Sequence, residues 1–172
     1  CNHGKRNIFV LFNRRFFSSI RYLKNLVMNT DELYARFCFD DRISLLSDYT
    51  RPNELRHWVW FNSAHVIDLT FWLFDGLFDS QSLIQGSLTP IEAAKVPWHE
   101  GATIMRRQWD LGDKQVLVEA DWSKDGSWCI NGNADGEEFT LSPIEEFRSE
   151  KFALKPDFSD GVKPGLKEIV EL

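Results

Sequence analysis

The sequence predicts an α+β domain: an open, mostly antiparallel β-sheet with helices packed on one face. Three observations carry this. Two segments with helical patterning fill the first half, strand-like runs separated by tight-turn residues fill the second, and 172 residues suit one compact domain with a core of its own.

Residues 7–12 form a short apolar run that reads as a strand buried on both faces. A helix is predicted directly after it, over 14–28. There Phe16, Phe17, Ile20, Leu23, Leu26 and Val27 recur at three- and four-residue steps, while Arg15, Arg21, Lys24 and Asn25 fall mainly elsewhere. Asn29-Thr30-Asp31 punctuates. Leu33, Ala35, Phe37 and Phe39 then alternate with Tyr34, Arg36 and Cys38 in the period of a half-buried strand.

Residues 40–56 read mostly as loop, and 57–74 as a second helix, apolar nearly all round and therefore held between layers. Asp75-Gly76 closes it. Strand-like runs follow at 77–88, 102–111, 115–122, 127–132 and 138–141. Gly112-Asp113, Lys124-Asp125-Gly126 and Asp135-Gly136 between them supply the positive-φ positions of tight hairpins. The long connection 90–101 has the length of a functional loop.

Composition narrows the function classes. A net charge of −6 and a pI near 5.2 argue against a nucleic-acid partner, because backbone phosphates are bound by clustered Lys and Arg. No apolar stretch reaches the ~18 to 20 residues of a membrane span, so no membrane partner is expected. Cys1, Cys38 and Cys129 are odd in number and lack CxxC spacing, which predicts neither a disulfide framework nor zinc and suits a reducing cytoplasm. No histidine pair has metal-ligand spacing on a predicted element, so no metal is assigned. The 14 Phe and 7 Trp exceed ordinary usage and predict a large apolar surface shared with another domain or subunit.

The second helix carries the chemistry. Asn62, His65 and Asp68 interrupt its apolar surface at three-residue steps, which places them within about 120° of arc on one face. Buried polar groups must be bonded or must face a polar cavity. A histidine there, oriented by a carboxylate, can carry a proton near neutral pH. The same spacing also fits a core histidine tied to Asp68 or to a backbone carbonyl. Asn13-Arg14-Arg15 lies where a strand meets a helix, a usual place for ligand contacts in α/β sheets, although two arginines in a first helical turn also suit a solvated face.

One absence is informative. No GxGxxG follows a predicted strand and there is no Walker sequence, so the chain has no cradle for a dinucleotide pyrophosphate. A GxSxG nucleophile elbow is missing too, against a serine hydrolase.

The segment Phe9-Val10-Leu11-Phe12-Asn13-Arg14-Arg15-Phe16, with Ser19-Ile20-Arg21-Tyr22-Leu23-Lys24 after it, resembles the opening of the carboxy-terminal domain in the glucose–fructose oxidoreductase, inositol dehydrogenase and rhizopine catabolism (Gfo/Idh/MocA) family. Asn62-Ser63-Ala64-His65-Val66-Ile67-Asp68-Leu69 looks like that family's catalytic helix. A looser match joins residues 122–128 to Leu141-Ser142-Pro143-Ile144-Glu145. These matches span almost the whole chain in order.

The resemblance implies a dihydrodipicolinate-reductase-like carboxy-terminal domain whose open sheet face makes homodimers or homotetramers. It implies NAD or NADP, bound mainly by an amino-terminal Rossmann domain lying outside residues 1–172. The substrate it implies is a sugar or nucleotide-sugar. His65 would be the acid/base on the substrate oxygen and Asp68 its orienter, with Asn13, Arg15 and Asn62 shaping the pocket. Two departures accompany it: the family's catalytic lysine belongs to the other half, and the carboxylate often found four residues before the histidine is Phe61 here.

The start at Cys1, without initiator Met or signal core, agrees with a piece of a longer chain that is inactive alone. The competing expectation is a non-catalytic assembly or ligand-sensing module derived from that fold. An independent small-ligand-binding protein is a third.

Overall fold

The computed structural model describes residues 12–40, 64–75, 77, 87–88, 104–121 and 126–156. The strand expected at 7–12 except Phe12, the loop at 40–56 except Asp40, the connection 90–101, and the first part of the second helix with Phe61 and Asn62 lie outside them.

Phe12 leads into a 3-10 turn at Asn13–Phe16, then α1 at Ser18–Asn29 and β1 at Leu33–Phe39. Helix α2 is Ala64–Leu73. Strands β2 (Ser87–Leu88), β3 (Ile104–Leu111), β4 (Lys114–Asp121), β5 (Trp128–Ala134), β6 (Glu137–Leu141), β7 (Phe147–Ser149) and β8 (Ala153–Leu154) complete the described chain. They form one sheet in the order β2-β3-β4-β1-β5-β6-β7-β8. Every neighbouring pair is antiparallel except β1 and β4, which are parallel. This is the open, mostly antiparallel α+β architecture the sequence predicts.

The continuous helix expected over 14–28 is in fact two pieces. Phe17 sits between them in extended conformation, φ −63° and ψ 133°, and its N–H closes the 3-10 turn on Arg14 O at 3.2 Å. The break buries Phe17 to 4% exposure while leaving Arg15 free to project another way, which one regular helix would not allow. Helical spacing does hold over α1, where Ser19, Ile20, Leu23 and Val27 are buried.

The core lies between the helices and the inner sheet face. Leu33, Ala35, Phe37 and Phe39 of β1 point inward, as their alternation predicts, and meet Phe17, Ile20, Leu23, Val66, Leu69 and Leu73 in one cluster. Each fully buried Leu, Ile or Phe contributes ~1.5 to 3 kcal/mol. On α2 the buried stripe is Val66, Leu69, Thr70 and Leu73, and the Thr70 hydroxyl is satisfied by Val66 O at 3.0 Å. Only Phe71 among its residues is exposed, at 37%, with its ring edge-on to Trp109. That matches a helix covered from more than one side.

The core accounts for many of the described aromatic side chains. Among the described residues, Phe17, Phe37, Phe39, Phe74, Trp109, Phe139 and Phe147 are all in the core. At the far edge of the sheet Tyr22 of α1 sits on Phe147 and Phe152, at centroid distances of 4.6 and 4.8 Å. On the outer sheet face Glu119 is shared between Arg36 and Arg106, and Gln108 and Gln115 both donate to Asp110.

Two of the expected hairpins are described. Gly112 (φ 70°) begins the two-residue link of β3 and β4; Asp135 (φ 49°) and Gly136 (φ 84°) form that of β5 and β6, as a type I′ turn requires. Asp135 Oδ1 also accepts from the backbone N–H groups of Asp31 and Glu32, at 3.1 and 2.8 Å, anchoring the entry to β1. The short strands β7 and β8 have no counterpart in the sequence reading. With three and two residues they are too brief to show a period. No described helix is long and apolar enough to cross a membrane.

Candidate functional site

The 3-10 turn and the first half of α2 come together beside the core and bring Arg15, Asp68 and His65 into one cluster. Arg15 Nε donates to Asp68 Oδ2 at 2.7 Å, and Arg15 Nη2 donates to Oδ1. This is a two-point ion pair. The Asp68 side chain is 15% exposed and that of Arg15 37%, so the pair lies at the edge of the core.

The placement follows from the backbone. The extended Phe17 ends the 3-10 turn so that Arg15 faces α2, while Leu69 and Val66, flanking Asp68 and His65, hold α2 against the sheet. A guanidinium's planar fork matches a carboxylate at two points, which a lysine or a neutral imidazole cannot do.

The resemblance gives Asp68 the role of orienting His65. The structure instead turns both Asp68 oxygens to Arg15, and His65 Nδ1 is buried without a hydrogen-bond partner among the described residues. Nor is the imidazole tied to a described backbone carbonyl through that nitrogen. Its ring meets Phe12 edge-on at 5.5 Å, and Phe12 in turn carries the Arg15 guanidinium 5.7 Å from its centroid.

Burial is the main reason that His65 is held below its usual pKa of 6.5; the Arg14 cation adds to this, and Asp68 opposes it. The ring is therefore neutral at neutral pH, the form that can accept a proton. An unbonded buried nitrogen costs ~1 to 3 kcal/mol.

Arg14 is the residue whose part the sequence reading did not assign. Its guanidinium stacks 4.2 Å above the Trp128 ring, and its charge reaches His65. Arg14, Asp40, Trp128, Pro143 and Glu145 line a small cleft beside this cluster. The signal was the doubled arginine: one points to Asp68 and the other to Trp128. Asn13 is half-buried in the 3-10 turn, and Asn62 lies outside the described residues.

The described residues do not fit a dinucleotide cofactor. Gly112 and Gly136 serve hairpins, Gly132 is a point of close strand approach, Gly126 lies against Asp40, and none opens a helix after a strand. Any nicotinamide chemistry would be held outside these residues.

The class that fold and topology define is an α+β domain with an open, mostly antiparallel sheet backed, among the described residues, by α1 and α2. A solved structure of this class is a dehydrogenase, MviM from Clostridium difficile, with a TM-score of 0.58 and 14% identity over 93% of this chain. The chain spans about half the length of that protein, 50% of it being covered. No family model matches the sequence, and no curated protein matches it either.

Proposed function

We propose that the chain is the carboxy-terminal, substrate-facing domain of an NAD(P)-dependent oxidoreductase acting on a sugar or nucleotide-sugar hydroxyl or carbonyl. The observation that carries this reading is His65, its Nδ1 buried and without a partner among the described residues, beside the Arg15–Asp68 pair on a fold shared with a dehydrogenase. In the oxidative direction the imidazole takes the proton from the substrate hydroxyl, and in the reductive direction it returns that proton to the carbonyl oxygen. Asp68 acts through Arg15, fixing the 3-10 turn against α2 and so the wall on which His65 stands. Arg14, already stacked on Trp128, presents a cation to an electron-rich oxygen nearby. The hydride partner belongs to a nucleotide-binding domain outside residues 1–172, because the sequence has no pyrophosphate cradle.

The test is a longer chain carrying that domain, titrated with NADH and NADPH and assayed on polyol and sugar substrates. His65→Ala is expected to lower turnover by ~10² to 10⁴ while leaving cofactor affinity unchanged. Absence of nicotinamide binding, or normal turnover in the variant, overturns the reading.

A second reading, a non-catalytic assembly or ligand-sensing module on the same fold, is favoured by one observation: Asp68 is committed to Arg15 rather than to His65. The two readings part in the same assay, since the module binds no nicotinamide.

A further inference from the structure

Cys38 and Cys129 stand directly opposite one another across β1 and β5, as partners in antiparallel register. Their inner-face neighbours Phe37, Phe39 and Ile130 are in the core, so by strand alternation both thiols project from the outer face, half-buried. Opposed residues of antiparallel strands have Cα atoms about 4.5 to 5.5 Å apart, inside the window of about 4.4 to 6.8 Å that a disulfide spans. The register therefore permits a disulfide between them. Both are free thiols here.

The two sulfurs are not equivalent. The opposed register sets the Cys38 side chain beside that of Cys129. Asn131 Nδ2 donates to Cys129 Sγ at 3.6 Å, and the Thr140 hydroxyl holds that amide by bonding Asn131 Oδ1 at 2.6 Å. A donor held on that sulfur, with the Cys38 thiol opposite, favours its thiolate. Cys129 is accordingly lowered to about 7, chiefly by the Cys38 S–H and against the effect of burial. Cys38 is pushed upward, first because its proton is shared with Cys129 and then by burial. Arg36, Glu119 and Asp40 are the charged groups that also act on the pair.

We propose that Cys129 and Cys38 form a two-thiol oxidation site, with Cys129 the attacking and Cys38 the resolving residue, and a hydroperoxide as oxidant. The Cys129 thiolate attacks the terminal peroxide oxygen; an S–O bond forms, the O–O bond breaks, and the leaving oxyanion is protonated to alcohol or water. Cys38 then attacks the Cys129 sulfenic acid; an S–S bond forms, the S–O bond breaks, and hydroxide leaves with the Cys38 proton as water. Two thiols are oxidised to one disulfide as one peroxide is reduced. The site is separate from His65 and holds whether or not the domain belongs to a dehydrogenase.

The test treats the full chain with hydrogen peroxide and maps peptides by mass spectrometry without reduction. A bridged Cys38–Cys129 peptide, reversed by dithiothreitol and also formed in Cys1→Ser, is the expected result. In Cys38→Ser the reaction should halt at a Cys129 sulfenic acid that dimedone captures. Because a substituted strand may misfold, the unaltered protein is also alkylated with iodoacetamide at neutral pH, where Cys129 should react about tenfold faster than Cys38. No bridge, a bridge through Cys1 instead, or Cys38 reacting as fast as Cys129 would overturn the proposal.

Discussion

Arg15 and Asp68, 53 positions apart in sequence, are joined at two points, Nε on Oδ2 at 2.7 Å and Nη2 on Oδ1. This pair ties the 3-10 turn to α2 and decides what surrounds His65. It takes from the histidine the carboxylate that the spacing of positions 65 and 68 had offered it.

Arg15→Ala and Asp68→Ala are each expected to destabilise the fold by ~1 to 2 kcal/mol, since each leaves the other charge at the edge of the core without its partner. A double-mutant cycle followed by urea unfolding should return a coupling of ~0.5 to 1.5 kcal/mol. Additive single effects would mean that the pair does not form in solution.

The stability of the domain should fall on acidification through a window beginning at the usual histidine pKa of 6.5 and extending downward. His65 is depressed in the folded state, so in that window the unfolded chain binds a proton that the folded chain does not. The contribution is complete above the window and is lost as pH falls through it. Comparison of unfolding midpoints between pH 5 and pH 8 for the native chain and His65→Gln checks this; an NMR titration of His65 above its usual value would refute it.

Ser19 is fully buried and donates its hydroxyl to Ile144 O at 2.7 Å, fastening α1 to the turn that follows β6. Ser19→Ala strips that carbonyl of its partner and should cost ~1 to 2 kcal/mol by chemical denaturation. Ser19→Cys, which keeps a weak donor, should cost less.

Two glycines should respond differently to alanine. A methyl at Gly132 would lie 2.3 Å from Tyr34 O and 2.4 Å from the Phe139 ring, so backbone must move, at ~2 to 3 kcal/mol. At Gly136, φ 84°, nothing lies within 4 Å, and only the left-handed conformation is penalised, by ~1 kcal/mol. Thermal melting of both variants gives the ranking, and an equal loss would show that β5 and β6 are looser than described.

Much of the fold was legible because local periods report local burial. The alternation of Leu33, Ala35, Phe37 and Phe39, the stripe Ile20, Leu23 and Val27, and the turns at Gly112 and Asp135-Gly136 all correspond to described elements. The helix break at Phe17 was not legible, since an extended residue leaves the three- and four-residue spacing of its neighbours intact. The membership of the site was visible in part: positions 15, 65 and 68 were marked out, but their pairing was not.

Amino-acid order was sufficient for the layers of this protein, because the face that each side chain presents follows from a period of two or 3.6 residues. It was insufficient for partners. The parallel seating of β1 on β4, the opposition of Cys38 and Cys129, and the capture of Asp68 by Arg15 join residues 53 to 91 positions apart. Contacts over such separations depend on strand register and on a single backbone bend, and those exist only once the chain has folded.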